Sequence, residues 1–153
     1  MDVKKAYKLW SRQYDTDANK TRDLEAIALR ETLSPLTFST CLEIGCGTGK
    51  NTEWLVTVAD EILAVDFSAE MLTLAMQKIR SKKVKFIEAD INCEWTFAEK
   101  EYGLIVFSLV LEHIETPDHV FRKASKAVKP GGWMYIGELH PYKQYSGSKP
   151  GSK

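Results

Sequence analysis

The stretch Thr40-Cys41-Leu42-Glu43-Ile44-Gly45-Cys46-Gly47-Thr48-Gly49 constrains this chain more than any other. An apolar β-type run carries an acid and ends in glycines that alternate with small residues, and a helical pattern follows. A turn that leaves a buried strand must reverse tightly and let a ligand approach its backbone, and glycine permits both. The helix is expected to start near Thr48, so its free N–H groups and positive dipole end face whatever occupies the loop. The dinucleotide fingerprint G-x-G-x-x-G, which seats a phosphate on the helix N-terminus, is not met, because the glycines run G-x-G-x-G and the sixth position is Lys50. Glu43 would repel a pyrophosphate and suits a cationic ligand.

From Thr40 onward strand and helix patterns alternate, the signature of a parallel α/β sheet. Strands are expected over Thr40–Ile44, Glu61–Asp66, Lys83–Glu88, Leu104–Leu111 and Trp133–Glu138. The third alternates lysines with Val84 and Phe86, as a protected sheet edge does. The fourth is nearly all apolar, as a central strand covered on both faces should be. Between them, the helix after the glycine loop is expected to bury Trp54, Leu55 and Val58. The next is capped by Ser68 and buries Met71, Leu72, Ala75 and Ile79. Thr116-Pro117-Asp118 reads as N-cap, N1 proline and first-turn acid of a helix that buries Val120, Phe121, Ala124 and Val128 and ends at Pro130-Gly131-Gly132. Upstream, Tyr7, Trp10 and Tyr14 align on one helical face, and a second amphipathic helix runs from Thr21 to Leu33, stopped by Ser34-Pro35.

The chain has 153 residues, enough for one domain with a proper core, and shows no repeat or dividing linker. We expect a helical segment over 1–36, a core over 40–140 and a mobile tail over 142–153. Lys plus Arg equals Asp plus Glu, so no polyanion or acidic membrane surface is indicated as partner. The N-terminus lacks the apolar stretch of a signal peptide, and no apolar run is long enough to cross a membrane. Cys41, Cys46 and Cys93 fit no zinc spacing and read as reduced thiols of a cytoplasmic protein, with no metal expected.

At the strand ends, where an open parallel sheet binds ligands, the sequence places Glu43, Asp66, Asp90, Ser108 and Glu138. Taken with the acid-x-G-x-G-x-G loop, Glu88-Ala89-Asp90-Ile91, Ser108-Leu109-Val110-Leu111, Leu111-Glu112-His113-Ile114 and Lys129-Pro130-Gly131-Gly132, the chain resembles the class I S-adenosylmethionine-dependent methyltransferases over roughly residues 7–140. It is most similar to their small-molecule (type 11-like) branch. The resemblance implies a doubly wound, Rossmann-like parallel sheet of order 3-2-1-4-5 with N-terminal helices. It also implies S-adenosylmethionine as cofactor, S-adenosylhomocysteine as product and a small-molecule methyl acceptor. The cofactor carries an ammonium and a sulfonium and no phosphate, which agrees with Glu43.

The implied cofactor contacts are Glu43, Gly45, Cys46 and Gly47 in the loop, Asp66 on the ribose hydroxyls, and Phe67 and Met71 beside the adenine. Asp90 would accept from the adenine amino group, the Ile91 N–H would donate to the ring, and the Ser108 carbonyl would take the methionine ammonium. Tyr14 and Arg12, on a segment that in the family lies over the cofactor as a lid, are further candidates. Each has a plainer alternative: Asp66 as a helix cap, Asp90 as a loop acid, Phe67 and Met71 as core, and the N-terminal aromatics as docking residues. If a general base is needed, His113 and His140 follow the fourth and fifth strands and face the right side of the sheet. His119 sits in a helix start and is set aside. The fourth motif lacks the Asp/Asn-Pro-Pro-aromatic run of the enzymes that methylate DNA bases, so no nucleic-acid substrate is expected.

One departure matters. The family sheet has seven strands, and strands six and seven find no counterpart after strand five. A non-catalytic cofactor-binding or regulatory subunit is therefore the alternative reading. Strand five, with its large apolar residues and no lysine or proline, is expected to be an unprotected edge and to support a homodimer.

Overall fold

The alternation of buried β-type runs with amphipathic segments produces one sheet of five parallel strands, ordered β3-β2-β1-β4-β5. In this computed structural model residues 20–138 are described. The expectations for Tyr7, Trp10, Arg12, Tyr14, His140 and the tail lie outside them. The strands are β1 (Thr40–Ile44), β2 (Glu61–Asp66), β3 (Val84–Glu88), β4 (Tyr102–Ser108) and β5 (Val128–Gly137), and the helices are α1 (Lys20–Leu33), α2 (Lys50–Leu55), α3 (Ala69–Lys78) and α4 (Asp118–Ala127). No helix among the described residues is long and apolar enough to cross a membrane.

Period-2 alternation divides the core. Leu42, Ile44, Val65, Ile105 and Phe107 pack on one face with Val120 and Ala124 of α4 and with Trp95 and Phe97. Cys41, Ile62, Ala64, Leu104 and Val106 pack on the other with Leu29 and Leu33 of α1, Leu55 and Leu72. Glu43 shares the parity of Cys41, so its carboxyl is turned toward α1 and α2 and is only 2% exposed. The register aligns Ile44 with Val65 and Phe107, Asp66 with Glu88, and Ser108 with Gly137, which gathers the carboxyl ends of all five strands at one rim.

Several local expectations need correction. The helix after the glycine loop ends at Leu55, and the chain turns there, with Val58 N–H and Ala59 N–H both donating to Leu55 O. Ala59 enters the core in place of Val58, which is exposed. The helix expected to open at Pro117 with Thr116 as cap opens at Asp118 instead, with Pro117 as cap and no side-chain cap bond. Strand β4 stops at Ser108 and not at Leu111, because Leu109 turns to φ 55° and residues Leu111–His113 form a 3-10 turn.

The fifth strand begins well before Trp133. Val128 is already extended and pairs with Tyr102, and the next pair is Leu104 with Trp133, so 129–132 form a bulge opposite Gly103. Proline disfavours helix at the preceding residue, which ends α4 early. At Gly132 a Cβ would stand 2.9 Å from Gly103 O, so the bulge can close only on glycine. Strand β5 thus carries Lys129 and Pro130 at its start, so the expectation that this strand has no lysine or proline is corrected for its first half.

Candidate functional site

The glycine turn is built by two bonds from the neighbouring strand's last turn of pairing: Gly45 N–H and Cys46 N–H both donate to Val65 O, at 2.7 and 3.0 Å. Gly45 lies at φ 74°, and a Cβ there would come within 2.7 Å of Val110 Cγ2. Gly47, at φ 57°, faces open space, so its backbone is bare to the cavity. Its N–H donates to Asp66 Oδ1 at 3.1 Å, while Asp66 Oδ2 accepts from Ser68 N–H at 3.0 Å. Ser68 is the cap of α3, accepting from Met71 N–H at 3.2 Å. Asp66 therefore ties the glycine loop to the start of α3 and leaves lone pairs on both oxygens for a ligand. Burial raises its pKa, opposed by the Ser68 and Gly47 N–H groups and by His113.

Two cavities share Gly45, Asp66 and Val110. The smaller, about 70 Å³, is walled by the glycine loop, Glu43, Asn51, Ser108 and Leu109, by Met71, and by Arg22 and Glu25 of α1. Its floor is acidic. The Glu43 carboxyl is pushed up to about 8, first by burial and then by the nearby charges of Asp66 and Glu25, against a 2.5 Å hydrogen bond from Thr52 Oγ1 that favours the anion. Ser108 Oγ donates to Glu25 and accepts from Asn51 Nδ2 at 3.0 Å. Tyr135 O–H donates to the other Glu25 oxygen. The buried Oδ1 of Asn51 has no hydrogen-bond donor among the described residues. The wall thus gathers the acids Glu25, Glu43 and Asp66 and one undonated amide oxygen, with the cations Arg22 and Lys50 at the same cavity, a set that suits a ligand arm bearing an ammonium.

The larger cavity, about 260 Å³, is walled by Val65, Asp66, Phe67, Ala89, Asp90, Ile91, Asn92, Val110, His113 and Ile114. Its walls are mostly apolar, with Asp66, Asp90, Asn92 and His113 as polar groups, the make-up of a slot for a flat, polar-edged ring. Asp90 is exposed and accepts from Asn92 N–H and Nδ2 at 2.9 and 3.1 Å. The loop after it is held from outside: His119 Nε2 lies 3.0 Å from Asn92 Oδ1, and Lys123 Nζ donates to the carbonyls of Asn92 and Cys93. His119 is thus a tether of the loop that walls this cavity.

The structure brings Glu43, Gly45, Cys46, Gly47, Asp66, Met71 and Ser108 around the smaller cavity, and Phe67, Asp90 and Ile91 around the larger. Met71, fully buried, belongs with the glycine loop and is not on the wall beside Phe67. His113 stands on the larger cavity with Asp66 and Phe67. Sequence reasoning missed Glu25, Asn51, Thr52 and Asn92. For Glu25 a signal existed: it shares the buried stripe of α1 with Ala26, Leu29 and Leu33 and is itself only 9% exposed. An acid on an apolar helical stripe breaks the binary pattern, and such breaks mark sites.

Comparison with known proteins bears on this geometry. Residues 42–136 match the family model described as a methyltransferase domain. The ubiquinone biosynthesis O-methyltransferase of Hydrogenovibrio crunogenus is 32% identical over 111 residues, which cover 69% of this chain and 45% of that protein. The malonyl-[acyl-carrier protein] O-methyltransferase of Haemophilus ducreyi is 32% identical over 111 residues, 69% of this chain and 42% of that one. The chain thus spans less than half the length of these relatives. Among solved structures, a DhpI complex with SAH is 29% identical with a TM-score of 0.72, covering 86% of this chain and 65% of that one. The N-methyltransferase NodS from Bradyrhizobium japonicum WM9, in complex with S-adenosyl-L-homocysteine, is 26% identical with a TM-score of 0.68, covering 80% and 64%. With the matched region running from β1 to the second half of β5, through every strand end that lines the two cavities, the chain belongs to the methyltransferase domain family.

Proposed function

We propose that the two cavities bind S-adenosylmethionine and that the protein transfers a methyl group to a small-molecule acceptor. The observation that carries this reading is the acid cluster of the smaller cavity, where buried Glu43, Glu25 and Asp66 stand with the glycine loop and with Asn51, whose Oδ1 has no donor among the described residues. A phosphate-bearing dinucleotide would add negative charge to that wall. The ammonium of an amino-acid arm supplies donors to these acids, and the cations Arg22 and Lys50 that line the same cavity can balance the arm's carboxylate. When bound, S-adenosylmethionine supplies a methyl group activated by a sulfonium, which an aligned nucleophile takes by in-line displacement with S-adenosylhomocysteine as the other product.

The chain's own groups divide the work of holding it. Gly45, Cys46 and Gly47 bring bare backbone to the ligand. Glu43 and the Ser108 carbonyl receive the ammonium, and Asp66, already set by two backbone N–H groups, receives the ribose hydroxyls. Phe67, Asp90 and Ile91 surround the base. His113 lies on the same cavity as Phe67, which favours a role facing the cofactor over one as general base. Alignment and exclusion of water, without a dedicated base, suffice for the transfer.

The two relatives named as O-methyltransferases of ubiquinone biosynthesis and of malonyl-[acyl-carrier protein] support a small metabolite as acceptor. A cytoplasmic location fits the three free cysteines. Among the described residues β5 pairs with β4 on one side only, and Trp133 and Ile136 are each 46% exposed, which supports self-association through that edge.

Thermal unfolding with ligands tests the reading. S-adenosylhomocysteine at ~100 times Kd should add about 2.7 kcal/mol of stability, and NADH and NADPH should add nothing. A shift with NADH and none with S-adenosylhomocysteine would overturn it. Turnover of labelled S-adenosylmethionine against a metabolite panel then tests the transfer.

A further inference from the structure

Helix α1 delivers a further acid to the smaller cavity. Its Ala26, Leu29 and Leu33 anchor it in the core, and Asp23 pairs with Lys50, the first residue of α2, at 2.5 Å. Between these fastenings the Glu25 carboxylate enters the smaller cavity beside Glu43 and Ser108. Its two oxygens accept from two neutral hydroxyls, those of Ser108 and Tyr135, which lie 83 and 110 residues away in sequence. A carboxylate has about four acceptor positions, so one lone pair remains on each oxygen. The hydroxyls also fix its orientation. Asn51 donates to Ser108, completing a chain Asn51–Ser108–Glu25–Tyr135 in which every donated hydrogen runs toward Glu25. The chain has one loose end among the described residues, the buried Oδ1 of Asn51, a residue that lines the same cavity.

We propose that Glu25 is a second anionic partner for the α-ammonium of the cofactor, so that α1 reads the amino-acid arm of the ligand and the strand ends read its nucleoside. The proposal rests on the cofactor reading above and extends it to a residue outside the matched 42–136 region. An ammonium has three donors. Glu43, Glu25 and the Ser108 carbonyl or Asn51 Oδ1 provide three acceptors around one small cavity. Seen this way, Tyr135 and Ser108 are positioning residues: they hold the carboxylate in place and leave its charge in force.

The plainer role for Glu25 is a tie between α1 and the sheet, and two ligands separate the roles. S-adenosylhomocysteine carries the ammonium; 5′-deoxy-5′-methylthioadenosine keeps the nucleoside and sulfur and lacks the whole arm. Titration calorimetry of both should show Glu25→Gln weakening S-adenosylhomocysteine by about tenfold or more, the scale of a hydrogen bond to a charged group, with methylthioadenosine unchanged. Glu25→Asp, which keeps the charge, should recover part of the loss, and Tyr135→Phe should fall well short of Glu25→Gln. Equal weakening of both ligands, or of neither, would overturn the proposal while leaving the cofactor reading intact. So would Tyr135→Phe costing as much as Glu25→Gln. Failure of the wild-type protein to bind either ligand would overturn both. If Glu25→Gln does not fold, the comparison of Glu25→Asp with wild type on the two ligands decides in the same way.

Discussion

Replacing Glu43 with glutamine keeps an acceptor for Thr52 Oγ1 and removes the charge, so its effects isolate the ionisation of one buried acid. In the folded protein the carboxyl titrates at about 8, against an ordinary value of 4.5. Between those two values the native state holds a proton that the unfolded chain has released. Stability is therefore greatest below the ordinary pKa and is lost as pH rises toward 8, at up to about 1.4 kcal/mol per pH unit. Asp66, also raised by burial, acts in the same direction. Glu43→Gln stays neutral throughout, so its stability relative to wild type should improve steadily from pH 5 to pH 8 and then level off.

Ligand binding should show the opposite dependence. An ammonium meets Glu43 most favourably when the acid is ionised, so at pH 7 binding must first release its proton. With a pKa of about 8, that requirement lowers affinity by roughly tenfold at pH 7 and hardly at all at pH 9, a difference of about 1.4 kcal/mol. Calorimetry of S-adenosylhomocysteine in buffers of different ionisation enthalpy reads the released proton directly. The ligand's own amine titrates with both proteins and drops out of the comparison. Glu43→Gln should bind more weakly by about 1.5–3 kcal/mol and lose the protein's share of the pH dependence. Identical pH profiles for wild type and Glu43→Gln would refute the assignment of a buried, protonated Glu43 facing a cation.

Asp66→Ala should weaken S-adenosylhomocysteine binding by about 1.5–3 kcal/mol, and Asp90→Ala by less because Asp90 is exposed and its loop stays held by His119 and Lys123; calorimetry with wild-type affinity in Asp66→Ala would remove its ribose role. Gly45→Ala combines φ 74° with a 2.7 Å approach to Val110 Cγ2, so thermal or urea unfolding should show a loss of about 1–3 kcal/mol, and adding Val110→Ala should recover only the part due to the Val110 methyls, because its Cβ stays 2.9 Å from the new methyl. Sedimentation at micromolar concentration should show self-association that Trp133→Lys and Ile136→Lys abolish, and amide exchange should be slow in the second half of β5. A monomer with those amides exchanging freely would remove the edge as an interface.

The sheet could be read from the sequence because its signals are local. Strand β1 and strand β2 fall on the expected residues, and Ser68 caps α3 as its type and place suggest. The misplaced boundaries have a common cause: tertiary context decided them. Residues 129–132 look like a helix stop in isolation, yet opposite Gly103 they become a bulge that extends β5 backward to Val128. Leu109–Leu111 continue an apolar run, yet a left-handed Leu109, whose N–H donates to Gly137 O at 2.7 Å, turns them out of the sheet and brings Leu109 and Val110 to the cavity walls. No periodicity reports a contact between elements this far apart. That is also why His119 looked incidental before Asn92 was seen beside it.

Glu25, Glu43 and Asp66 come from three separate elements and converge on one cavity, and in each the acid interrupts an otherwise apolar stripe or strand. Packing alone would favour replacing all three, since each is desolvated and two of them have raised pKa values. The donors that meet them in the protein, Thr52, Ser108, Tyr135 and two backbone N–H groups, fix their orientation. Glu43 stays protonated in the empty site up to about pH 8, and a cation that draws out its proton offsets the cost of burying the charge. Binding strength and folding stability are thereby set against each other at these positions. Glu43→Gln should accordingly stabilise the empty protein above pH 7 while weakening its ligand, a pairing of effects that a purely structural acid would not produce.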